Sequence, residues 1–72
     1  MTTPLENGLM MMTARLFTAR LDANTVKGAL AALQSGDQTK ARALGGQAVT
    51  ELQARGETAF ADELQVILDA NP

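Results

Sequence analysis

The sequence contains no cysteine, histidine, tryptophan or tyrosine, and each absence closes off a class of reading. Without cysteine there is no disulfide framework, and without cysteine or histidine the common zinc sites have no ligands. Any catalysis would fall to carboxylates, lysine, serine or threonine, because the usual general bases and thiol nucleophiles are missing. No residue stands out as catalytic, cofactor-binding or metal-binding, and a non-enzymatic protein is expected. Phe17 and Phe60 are the sole aromatics, too few for a platform on which nucleotide bases could stack. The lack of cysteine also fits a reducing compartment, so a cytoplasmic location is expected.

Basic charge is scarce as well. Six Lys and Arg against eight Asp and Glu give a net charge of −2, and Arg15, Arg20, Lys27, Lys40, Arg42 and Arg55 form no run. A nucleic acid is therefore not the expected main partner. Long apolar runs are missing too: Leu9-Met10-Met11-Met12 is far shorter than the roughly 18 residues of a membrane span. Glu6 precedes it where a secretory leader carries basic residues.

What is present is a helix pattern written around two glycines. Gly36-Asp37 leads to Ala41 and Leu44, and Gly56-Glu57 leads to Ala61 and Leu64. Each phrase reads as a helix stop followed by a helix start, since glycine takes the left-handed conformation past a last turn and an acidic residue caps the next first turn. The phrase resembles the turn and second helix of a tetratricopeptide hairpin. With Gly36 at that turn, Ala29, Ala41 and Ala48 fall at the small positions of that family. Its large aromatic positions and closing proline are absent, and an array needs about three repeats of 34 residues. On this resemblance the chain would be a fragment of such an array.

Thr3-Pro4-Leu5-Glu6 signals the first helix, with Thr3 as cap, Pro4 at the first position and Glu6 three residues on. Helix 1 is expected over about 4–21, with further helices near 25–34, 38–55 and 58–70. Asp22 or Asn24 serves to cap the second, which presents Val26, Ala29, Leu30 and Leu33. The third presents a face of mostly small residues, Ala41, Leu44, Ala48 and Leu52 with Gly45 beside them, suited to close approach by a neighbour. Gly45-Gly46 weakens its centre by about 1 kcal/mol per glycine, a place for a kink or a break. Phe60, Leu64, Ile67 and Leu68 mark the face of the fourth. The expected fold is all-α, a single domain forming a small four-helix antiparallel bundle of helical hairpins.

Helix 1 carries the functional clue. One apolar stripe holds Leu5, Leu9, Met12 and Leu16, and a second holds Met10, Ala14, Phe17 and Leu21, with Glu6, Thr13 and Arg20 between them. A helix packed on a globular core needs one stripe. A chain of 72 residues also lacks the usual staples of a small domain, leaving oligomerisation. Leu5, Leu9, Met10, Met12, Leu16, Phe17 and Leu21 are accordingly the expected interface of a homodimer, with a different protein as the other occupant. Met11 lies outside both stripes, and flexible thioethers suit adaptable binding surfaces.

Asp62, Gln65 and Asp69 share one face of the fourth helix, too few oxygen ligands for a cation site. Asp22 and Asn24 begin like a calcium loop, but Lys27 and Leu33 stand where its glycine and bidentate glutamate belong. Helices 2 and 3, joined by a short glycine turn, give an alternative reading as a helix-turn-helix-like unit of a DNA-associated regulator, with Lys27, Lys40 and Arg42 towards the duplex.

Overall fold

In the computed structural model, which describes residues 3–71, the chain forms four helices: α1 (Pro4–Thr18), α2 (Asn24–Gln34), α3 (Gln38–Ala54) and α4 (Thr58–Ala70). No strand occurs among the described residues. The starts follow the cap chemistry in the sequence. Thr3 Oγ1 accepts a hydrogen bond from the Glu6 amide at 3.1 Å, and Asp37 Oδ1 accepts from the Lys40 amide at 2.9 Å. Each satisfies a donor that the first turn leaves free. Asp22 Oδ1 accepts from the Asn24 amide at 2.8 Å and shapes the entry to α2, whose own cap residue is the buried Ala23. Glu57 occupies the cap position of α4 without a side-chain hydrogen bond.

Three helix ends share one geometry. The Gly36 and Gly56 amides donate back to Leu33 and Gln53, and the Asp37 and Glu57 amides reach Ala32 and Leu52. Both glycines have positive φ, 89° and 79°. The end of α1 repeats the pattern without glycine: Arg20 sits at φ 61°, its amide donates to the Phe17 carbonyl, and the Leu21 amide donates to Leu16. This double return is the Schellman arrangement. Helix α1 consequently ends at Thr18, three residues before the expected end near Leu21. Arginine carries no stop signal in the sequence, so this terminus was not legible.

Each helix packs on two others. Helix α1 contacts α2 and α4, and α3 contacts the same pair. The shared core takes Leu5, Leu9, Met12 and Leu16 from α1, Val26 and Ala29 from α2, Ala48 and Leu52 from α3, and Ala61, Leu64 and Leu68 from α4. Helix α3 runs unbroken through Gly45-Gly46, and the first of the two glycines faces α4. A Cβ on Gly45 would lie 2.9 Å from Leu68 Cδ2, so a side chain here would have to push that leucine methyl aside. The same holds at Gly8 on α1, where a Cβ would lie 2.5 Å from Ile67 Cγ2. Helix α4 therefore rests between two glycine notches, one on each neighbour.

Candidate functional site

The two stripes of α1 meet different fates. Leu5, Leu9, Met12 and Leu16 are buried in the protomer's own core, beside the notch at Gly8. Leu21 is half-buried and packs against that core from the turn, where the returning chain folds it back. Met10 and Phe17 point outward, 47% and 73% exposed, with the exposed Ala14 between them. Met11 is 53% exposed and widens the same face. Of the seven residues expected at an interface, then, the fold encloses four, half-covers Leu21 and presents Met10 and Phe17 to solvent.

Along the edge towards α4, this face meets a groove. One hollow of about 360 Å³ is lined by Met11, Met12, Arg15, Asp62, Glu63, Val66 and Ile67. A second of about 400 Å³ is lined by Met11, Ala14, Arg15, Thr18, Ala19 and Phe60. Met11 and Arg15 form the ridge between them. The Arg15 guanidinium is held in place from two sides: Nη1 donates to Glu63 Oε1 across the groove, and the guanidinium carbon lies 5.6 Å from the centre of the Phe60 ring. Both residues of the ion pair are well exposed, so its energetic contribution is about 0–1 kcal/mol. Its consequence is positional, since it holds the Arg15 side chain between the two hollows, with its charge balanced by Glu63. Glu63 Oε2 is enclosed and has no hydrogen-bond partner among the described residues. Val66, 65% exposed, continues the apolar surface onto α4.

Sequence reasoning did not single out Val66 or the Arg15–Phe60–Glu63 cluster. Arg15 and Glu63 are 48 positions apart, and no local pattern links them. Met11 was the legible part, standing next to both stripes.

The remaining charged side chains serve the frame. Glu51 Oε1 accepts from the Thr25 hydroxyl at 2.7 Å, and Oε2 accepts from Gln47 at 3.3 Å, tying α2 to α3. Arg55 lies 3.7 Å from Asp22 and links the end of α3 to the turn after α1. Gln65 donates to Asp69 Oδ1 at 2.9 Å on the outer face of α4. Of the three basic residues of the helix-turn-helix reading, Lys27 and Lys40 are exposed, while half-buried Arg42 donates to the Leu68 carbonyl at 3.3 Å. A further hollow of about 710 Å³ is lined by Thr3, Glu6, Ser35, Asp37, Thr39 and their neighbours. It is an open polar recess whose Asp37 carboxylate already caps α3.

No helix among the described residues is long and apolar enough to cross a membrane. Compared with known proteins, the chain matches no protein-family model, no curated protein and no solved structure. The surface geometry is therefore what a functional reading must rest on.

Proposed function

We propose that the protein is a small non-enzymatic interaction module, an antiparallel four-helix bundle that acts as a homodimer through the outer face of α1. The observation that carries this reading is the exposure of Met10, Met11 and Phe17 together on one helix face. Large apolar side chains grouped on a surface mark a contact site, whereas scattered ones need no explanation. The up-and-down order is supported by pairings that run early to late: Gly8 with Ile67 and Arg15 with Glu63, Thr25 with Glu51 and Gly28 with Leu44, Gly45 with Leu68. A regulatory or adaptor role in a reducing cytoplasm fits a chain that carries a contact face and no thiol.

Mass in solution across a dilution series, followed by sedimentation with circular dichroism on the same samples, tests the reading. The parent sediments as a dimer at the concentrated end. Phe17→Glu and Met10→Glu sediment as monomers of unchanged helicity, because both positions lie outside the core. A parent that stays monomeric throughout, or variants that keep the parent's mass, would remove the homodimer.

A further inference from the structure

We propose that Met10 and Met11 are oxidation sites of the folded protein, thioethers that a hydroperoxide converts to sulfoxides while the adjacent Met12 is spared. Successive residues lie about 100° apart around an α-helix. A run of three therefore spans about 200°, more than one buried face encloses. Met12 lies with Leu9 and Leu16 on the core side and exposes none of its surface, although it borders the hollow between α1 and α4. Met10 and Met11 stand outside, each about half exposed. Met11 also borders both hollows, space that a small oxidant can enter.

The chain offers an oxidant no better target. Cysteine, tryptophan, tyrosine and histidine are all absent, which leaves thioether sulfur as the readily oxidised group. In the step, a sulfur lone pair attacks the terminal oxygen of the hydroperoxide, an S–O bond forms and the O–O bond breaks. Sulfur gives up two electrons and the peroxide takes them. The departing hydroxide or alkoxide collects the proton from the new S–OH and leaves as water or an alcohol. A flexible apolar side chain becomes a polar, chiral one. Two of the three large apolar residues on the outer face of α1 thus turn polar, and no core residue is touched. Sulfoxide reductases, one for each epimer, restore the thioether, so the face changes character reversibly while the fold stays. At Met12 the sulfur is reached only when the helix opens from the core, and an oxygen there would be buried without a partner.

Hydrogen peroxide treatment of the full chain tests the sites, at the dilute end of the concentration range where self-association does not shield the face. Cleavage after Glu6 and Arg15 places Met10, Met11 and Met12 together on the peptide 7–15, apart from Met1, and fragment masses assign each oxygen. Met10 and Met11 are expected to gain oxygen at least about ten-fold faster than Met12, because reaction there waits on an opening that costs part of the folding free energy. In denaturing urea the three are expected to react at one rate. Circular dichroism should stay unchanged through the first two oxygens. Retention on a hydrophobic-interaction column should shorten and return after treatment with both reductases. A Met10→Leu, Met11→Leu double variant keeps the face apolar and should lose most of this change. Equal rates in the folded chain, helicity lost with the first two oxygens, or a double variant that responds as fully as the parent overturns the proposal. Sedimentation of the untreated parent keeps the two readings apart, since a monomer at every concentration removes the homodimer and leaves the oxidation sites standing or falling on the peptide map.

Discussion

Arg20 holds the one non-glycine positive φ among the described residues, 61°. The left-handed conformation brings a Cβ towards the following carbonyl, at roughly 1–2 kcal/mol for an ordinary residue. Glycine escapes that cost but loses more chain entropy on folding, which returns part of the difference. Arg20→Gly is therefore expected to stabilise the protein by about 0.5–1 kcal/mol. The measurement is a urea unfolding midpoint, which should rise at unchanged slope. The position also explains what the sequence did and did not disclose about helix ends. Gly36 and Gly56 advertise their turns through residue type, whereas Arg20 adopts the same turn because Leu21 is drawn back onto the core. Tertiary packing set that terminus, and no local signal records it.

Neighbouring glycines in α3 illustrate how an element's surface decides the worth of a residue. Gly45 and Gly46 cost the isolated helix equally, about 1 kcal/mol each relative to alanine. In the folded chain they differ, because Gly45 faces Leu68 and nothing lies within 4 Å of a Cβ on Gly46. Gly46→Ala is expected to stabilise by about 1 kcal/mol. Gly45→Ala must displace a buried leucine methyl, and overpacking of that kind costs about 1–3 kcal/mol, which cancels or exceeds the propensity gain. Thermal unfolding of the two single variants should show Gly46→Ala above the parent and Gly45→Ala at or below it. The reverse ranking would mean that α4 does not sit in the notch. Four helices and the turns at Gly36 and Gly56 were legible because cap residues and apolar spacing agree there. Which stripe of α1 faces inward was not, since both are apolar and helical in period. Gly8 lies on the inward side, where its missing side chain leaves room for Ile67 beside the buried Leu9, Met12 and Leu16.

The size of the whole molecule limits how strongly two copies can hold one another. Helix α1 has 15 residues, so it is about 22 Å long and about 10 Å wide. A seam of that size covers a few hundred Å² per copy, below the roughly 800 Å² of a standard stable interface. Association in the proposed homodimer is then reversible, and the folded state would gain from it only when the protein is concentrated enough. Apparent Tm is expected to rise with protein concentration for the parent and to be independent of concentration for Phe17→Glu. A concentration-independent parent would show that the outer face of α1 contributes nothing to stability through self-association.

The contacts among the helices close into a ring, α1 to α2 to α3 to α4 and back to α1. Thr3 and Asn71 line one hollow together, beside Leu33 and Arg42. The order in which the helices are joined is thus separable from the order in which they pack. A chain opened at the exposed turn of Gly36 and joined through a short flexible bridge from Asn71 to Thr3 would keep every helix beside its present neighbours. It would carry its new ends where no core residue depends on them, the circumstance in which circular permutation is best tolerated.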